Sequence, residues 1–341
     1  MVLPDPNSLY GPLDPAPDAG YENAPPRMGF FTDTSVCIGC KACEVACKEW
    51  NGVPENGLDL LGMSYDNTGA LTANSWRHVA FIEQSRPAGH GASPTDVLGP
   101  TRPADAGPTR PADADPIRPA DPIRPVDAGA GPQFLGMPGA QPPGRGTGVE
   151  ERTDFRWLMM SDVCKHCTHA ACLDVCPTGS LFRTEFGTVV VQEDICNGCG
   201  YCISACPYGV IDQRKDDGRA WKCTLCYDRL GAGMTPACAQ ACPTESIQYG
   251  PLDELRERAA ARVETLHNRG VPEARLYGHD PNDGVGGDGA FFLLLDEPEV
   301  YGLPPDPVVT TRDLPKMWKR AGLAALAMAA ATVAAFVGGS S

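Results

Sequence analysis

Residues 162–180 read DVCKHCTHAACLDVCPTGS, residues 193–209 read EDICNGCGYCISACPYG, and residues 222–246 contain KCTLC followed by ACAQACPTES. Together they hold all but four of the chain's 16 cysteines, and the other four, Cys37, Cys40, Cys43 and Cys47, form one further group. Within each group neighbours stand mostly three or four positions apart, a spacing that suits chelation by one short loop. A disulfide framework suits small secreted domains, whereas this chain has 341 residues. Zinc is the stronger rival, since paired CxxC motifs supply four thiolates. A triple CxxCxxC with a trailing CP has no use in a single tetrahedral site.

Cys196, Cys199, Cys202 and Cys206 follow the CxxCxxCxxxCP run of bacterial ferredoxins. In that run three thiolates wrap one iron-sulfur cube and the fourth ligates a neighbouring cube. Cys164, Cys167, Cys172 and Cys176 supply the second run of the unit, and residues 182–192 between them read as a β-hairpin turning at 185–187. The first group and the set Cys223, Cys226, Cys238 and Cys242 form a split pair that brackets this inner unit. The ferredoxin resemblance implies four 4Fe-4S clusters with exchanged fourth ligands. In the inner unit these are Cys164, Cys167, Cys172 with Cys206, and Cys196, Cys199, Cys202 with Cys176. In the outer unit they are Cys37, Cys40, Cys43 with Cys242, and Cys47 with Cys223, Cys226, Cys238.

His166 and His169 sit among the ligands, but with every cysteine present a Rieske-type centre is excluded, and a hydrogen-bonding role is the simpler reading. Lys41, Lys48, Lys165, Lys222 and Arg229 lie near ligands in sequence and are candidates for offsetting cluster charge. The formal charge of -15 disfavours binding nucleic acid through a basic face. Cluster assembly needs iron, sulfide and reductant, which places synthesis in the cytoplasm.

The string VCIGCKACEVACKEWNGVP from Val36, the KCTLCYDR at Lys222 and the YGLPPDP at Tyr301 resemble the iron-sulfur β subunit of respiratory, membrane-bound formate dehydrogenases. In related nitrate reductase subunits one ligand is a tryptophan, and here no cysteine is missing. The resemblance implies an electron wire with no catalytic centre of its own. Its donor would be a molybdenum or tungsten pterin catalytic α subunit oxidising formate, and its acceptor a haem b membrane γ subunit reducing quinone. Hydrogenases and sulfoxide or polysulfide reductases use similar subunits, and a cysteine-rich zinc module is the alternative outside this class.

The expected fold is α+β, two intertwined ferredoxin-like units with a C-terminal transmembrane helix. Residues 1–34 carry no secretory signal and read as an extended arm. Residues 35–83 open the outer unit, with a strand at 75–83. Residues 84–150 carry 14 of the chain's 34 prolines and a repeated TRPAD/IRPAD motif, the composition of a disordered insertion. Residues 151–219 form the inner unit, and 220–250 complete the outer one. Residues 251–314 supply a packing helix capped by Asp253, with Leu255, Ala259, Val263 and Leu266 on one face, then a strand and a linker. In 315–341, Ala321 to Gly338 are uncharged over 18 positions, within the range of a membrane span in contact with lipid. Trp318, Lys316, Lys319 and Arg320 would lie at the interface. The cluster domain could lie on either side of the membrane, in the cytoplasm or exported with a twin-arginine partner.

Overall fold

The computed structural model describes residues 15–56, 65–66, 68–84, 156–312 and 314–338. Its centre is β1 (Met28–Asp33), MGFFTD, buried along nearly its whole length. Strand alternation sends Phe30 and Phe31 to opposite faces, and both are fully buried. Phe30 joins the core that contains the cysteines. Phe31 joins a second core against a long helix.

Chain order then gives α1 (Ala42–Asn51), β2 (Arg77–Gln84), β3 (Arg156–Val163), α2 (Ala171–Asp174), β4 (Leu181–Arg183) and β5 (Val189–Val191). These are followed by α3 (Tyr201–Ala205), β6 (Asp212–Gln213), β7 (Ala220–Trp221), α4 (Tyr227–Gly231) and α5 (Ala237–Gln240). Last come β8 (Ile247–Pro251), α6 (Leu252–Asn268), β9 (Arg275–Tyr277), β10 (Ala290–Leu294) and α7 (Leu314–Gly338).

A four-stranded sheet has the order β8-β1-β10-β9. β1 pairs parallel with β10 and antiparallel with β8, and β10 pairs antiparallel with β9. β10 is AFFLL, apolar on both faces because both are covered. Phe292 and Leu294 face the cysteine side, while Phe291, stacked on Phe31 at 5.3 Å, and Leu293 face α6. α6 covers that side with Leu252, Leu255, Ala259 and Leu266, spaced three to seven apart along one helical face.

The hairpin expected at 182–192 is β4–β5, with Gly187 at φ +73° in its turn. The strand expected at 75–83 is β2, paired antiparallel with β3 from Arg77↔Val163 to Gln84↔Arg156. The residues between these strands, including nearly all of the proline-rich insertion, lie outside the described residues.

Two expectations are corrected. The segment assigned to an N-terminal arm contains β1, the strand on which the main sheet is built. Asp253 is not the N-cap of its helix: α6 begins at Leu252 after Pro251, and Asp253 lies in its first turn beside Arg256 at 3.2 Å. A proline-rich leader and a strand six residues long give no periodic signal strong enough to mark β1 in isolation.

Among the described residues no helix is long and apolar enough to cross a membrane. α7 is helical, and Trp318, Leu323, Leu326, Met328 and Val333 on it are exposed.

Candidate metal centres

Each CxxC loop has the same backbone turn. The residue before the second cysteine adopts positive φ in all four: Gly39 at +65°, His166 at +47°, Gly198 at +71° and Leu225 at +57°. Glycine takes this conformation without strain, whereas histidine and leucine hold it only because the surroundings fix it. A Cβ at Gly198 would also meet the Gly218 carbonyl oxygen at 2.2 Å. After each turn the chain passes into a short helix, so the third cysteine is delivered from α1 (Cys43), α2 (Cys172) or α3 (Cys202). Cys238 comes from α5, which packs on α1, while α2 packs on α3.

The thiols converge in sets. Cys164, Cys167, Cys172 and Cys206 line one cavity. Cys37, Cys40, Cys43 and Cys242 line another. Charge coupling marks the remaining two: Cys47 with Cys223, Cys226 and Cys238, and Cys202 with Cys176, Cys196 and Cys199. All sixteen cysteines are free, none in a disulfide.

The sets are also coupled to one another by charge, in a row. Cys43 of the first set feels the charge of Cys238 in the second. Cys223 of the second feels Cys164 in the third. Cys172 of the third feels Cys202 in the fourth. The two end sets each reach the surface through an exposed cysteine, Cys40 and Cys199. In the second set, Cys47, Cys223, Cys226 and Cys238 are all buried.

Burial raises most of these thiols, with Cys43 and Cys202 pushed up to about 11 and Cys223 to about 12. Coordination must therefore displace protons, because the thiolate is the ligand. Cys176 is the exception: burial opposes ionisation, but the backbone N–H groups of Leu181, Thr178 and Ser180 and the Thr178 hydroxyl lower it to about 7.

The donor set fits a polynuclear cluster better than a single ion. Tetrahedral zinc with Zn–S bonds of about 2.3 Å draws its sulfurs to within about 3.8 Å of each other. Among the described residues no three of Cys, His, Asp and Glu form such a group, whereas four thiols surround each of two open cavities.

Polar residues complete the surroundings. Asn51 Nδ2 donates to the Cys47 carbonyl at 2.8 Å and lies 3.8 Å and 3.9 Å from the Cys47 and Cys226 sulfurs. Its neighbour Trp50 donates to Asp228 at 2.8 Å and stacks under Arg229 at 4.1 Å, so the EWN and CTLCYDR motifs meet in space. His166 Nδ1 accepts from the Val189 N–H at 3.1 Å, which leaves the proton on Nε2. Burial, with Lys222 and three arginines nearby, holds His166 well below its ordinary range and neutral. The backbone N–H of His169 donates to the Val285 carbonyl at 2.8 Å.

Of the basic residues singled out in sequence, Lys165 and Lys222 line the third set's cavity and are fully buried. Lys165 pairs with Asp162, and Lys222 donates to the Val189 and Cys223 carbonyls. Lys41 bridges Glu44 at 3.4 Å and Asp66 at 3.8 Å. Lys48 donates to the Pro54 carbonyl. Sequence reasoning missed Arg77, Ser161, Tyr208 and Asp288, all buried beside the thiols and, apart from Tyr208, outside the cysteine motifs. Tyr208 Oη donates to Asp288 at 2.8 Å, and burial pushes that carboxyl up to about 8.

A ferredoxin-type protein built for several iron-sulfur clusters is the class that this thiol geometry defines. Comparison agrees: residues 155–252 and residues 36–180 each match a family model described as a 4Fe-4S dicluster domain. The chain is 34% identical to the iron-sulfur subunit of the nitrate-inducible formate dehydrogenase of Escherichia coli, over 90% of this chain and 81% of the relative. A formate dehydrogenase iron-sulfur subunit of Haemophilus influenzae is 33% identical, over 87% and 74%. One subunit of the anaerobic dimethyl sulfoxide reductase of E. coli is 29% identical, over 68% and 77%. The chain belongs to the family of formate dehydrogenase iron-sulfur subunits, and it carries four 4Fe-4S clusters.

Proposed function

We propose that this chain relays electrons from a molybdenum or tungsten pterin catalytic subunit that oxidises formate to a haem b subunit that reduces quinone in the membrane. The observation that carries the reading is the row of four thiol sets, with the second set wholly buried and Cys40 and Cys199 exposed at the two ends. A lone carrier needs one or two clusters; a row with two exposed ends suits transit across a subunit between separate partners.

The ligand sets inferred here are Cys37, Cys40, Cys43, Cys242; Cys47, Cys223, Cys226, Cys238; Cys164, Cys167, Cys172, Cys206; and Cys176, Cys196, Cys199, Cys202. Their common cavities and mutual charge coupling support this assignment. When bound, the clusters accept and release one electron at a time. The protein's own groups exclude water from the central sets, supply the thiolates and orient N–H donors toward them. The inner unit, residues 151–219, is nested within the outer one, residues 35–83 and 220–250.

α7 is read as a single membrane anchor in contact with lipid. Its exposed apolar residues and the uncharged run from Ala321 to Gly338 support this. The cluster domain is thereby held at the membrane.

Formate is favoured over a sulfoxide as the substrate of the catalytic partner because the match to the formate dehydrogenase subunit covers 90% of this chain, against 68% for the sulfoxide reductase subunit. The test is to add each substrate anaerobically to the native complex. Formate should reduce the clusters, and dimethyl sulfoxide should not reoxidise them. Reoxidation by the sulfoxide without reduction by formate would reverse the assignment.

A further inference from the structure

Arg77 lies on β2, 30 residues beyond Cys47 in the sequence and outside every cysteine motif. The residue is 2 % exposed, among the most deeply buried large side chains in the molecule. Its Nη1 donates to the Ser161 carbonyl at 3.3 Å and to Ser161 Oγ at 3.0 Å. Its Cζ stands 5.0 Å from the Phe30 ring centre. Nε and Nη2 have no hydrogen-bond partner among the described residues, and no carboxylate there pairs with the guanidinium. A buried guanidinium cannot shed its proton, so a dry site with two unsatisfied N–H directions calls for a compensating negative charge.

The thiols supply it. Ser161 Oγ, which Arg77 holds, is 3.2 Å from Cys43 Sγ. Burial alone would lower the Arg77 pKa, but the charges of Cys238, Cys43, Cys223 and Cys47 raise it above its ordinary value. Cys43 belongs to the first set, and Cys47, Cys223 and Cys238 belong to the second, so Arg77 sits between the two sets of the outer unit. No other described arginine or lysine combines this depth and these unpaired N–H groups with charge coupling to thiols of two sets.

We propose that Arg77 is a potential-setting residue for both clusters of the outer unit, donating its free N–H groups toward their sulfurs and placing one fixed positive charge between them. The proposal rests on the ligand sets assigned above. A fixed cation beside a cluster favours the reduced form, which carries one more negative charge, and hydrogen bonds to cluster sulfur act in the same direction. Arg77 thus keeps these two clusters readily reducible although they are buried, and it holds their potentials in step so that an electron passes between them without a large uphill step. The basic residues that line the third set's cavity, Lys165 and Lys222, already have carbonyl or carboxylate partners.

The test uses the intact complex purified without oxygen, with R77Q and R77K variants, and follows all four clusters by EPR during a redox titration with dithionite. In R77Q the reduction equilibrium of two clusters should fall at least tenfold, about 59 mV each for a one-electron couple. The cluster of Cys176, Cys196, Cys199 and Cys202 should stay in place. R77K keeps the charge without the planar fork and should fall by less. Four unchanged potentials would overturn the proposal and leave Arg77 a packing residue; an equal shift of all four would also overturn it, as a global effect. Should R77Q fail to assemble, the unaltered protein grown with 15N-arginine decides: a guanidinium nitrogen coupling to a reduced cluster is expected, and its absence refutes the contact. Parent protein without iron and acid-labile sulfide would instead refute the cluster reading itself.

Discussion

Replacing Cys206 by serine separates ligand exchange from a simple reading of the sequence. Cys206 is the last cysteine of the run Cys196, Cys199, Cys202, Cys206, yet the structure places it in the cavity of Cys164, Cys167 and Cys172. Four thiols hold each of the four clusters, and each cube contains four irons, so the parent carries about sixteen irons per chain. Loss of one cube leaves about twelve. Of the thiols left behind, Cys167 and Cys172 do not become stranded charges: burial raises both well above their ordinary value, so they take up protons. The emptied site should therefore be tolerated locally. Iron and acid-labile sulfide per chain, together with the EPR signals of the reduced complex, give the result. C206S should abolish the same signal as C164S, and C202S should abolish the same different signal as C176S. If C206S and C202S removed one common signal while C164S removed another, ligand exchange would be refuted and each sequence run would hold its own cube.

Four further outcomes follow from the packing and the charges. Phe31→Ala opens the core between the sheet and α6, where Phe31 stacks on Phe291, and should cost about 3–5 kcal/mol in thermal unfolding while leaving the iron content of the folded fraction intact, because Phe31 faces away from the cysteines. Asp288 has a folded pKa raised by burial to about 8, so the folded chain binds its proton more tightly than the unfolded chain. Its stabilising effect is full below the ordinary aspartate range and is lost as pH rises toward 8, by up to about 1.4 kcal/mol per pH unit; Asp288→Asn should flatten that slope in melts between pH 5 and 8.5, and an unchanged slope would count against a buried protonated carboxyl. Joining Gln84 to Arg156 by a short turn should preserve iron content, since these two residues already pair across β2–β3, whereas loss of clusters would give the intervening residues a structural role. Expressed without its membrane partner, the chain should leave the membrane for the soluble fraction when it is ended before residue 315; retention of that shortened chain in the membrane would refute the anchor.

The cysteine pattern made the clusters legible because chelation imposes local spacing. The same holds for β4–β5, whose turn and alternation are local, and for α6, whose apolar face repeats at helical spacing. What stayed hidden depends on distant partners. β1 becomes the heart of the sheet only when it meets β8 and β10, and those strands lie more than two hundred residues downstream. His166 and Leu225 take the left-handed turn that Gly39 and Gly198 advertise, but neither residue type signals it, so the common loop shape of the four groups was invisible in the letters. Nothing local in the strand at 75–83 marks Arg77, and only the fold buries it among the charges of the thiols. Asn51, by contrast, belonged to a recognised motif, and the structure supplies its reason, an amide set against the sulfurs of Cys47 and Cys226.

A row of four clusters in one chain, through which electrons from formate pass, can be watched filling in the intact complex. The direct test is to purify the complex from native membranes without oxygen, add formate, and follow the visible iron-sulfur absorption together with the EPR signals. Formate should bleach the absorption, and four distinct reduced clusters, with about sixteen irons per copy of this chain, should appear. A colourless chain containing zinc and no acid-labile sulfide would contradict it, and so would full reduction by dithionite with none by formate.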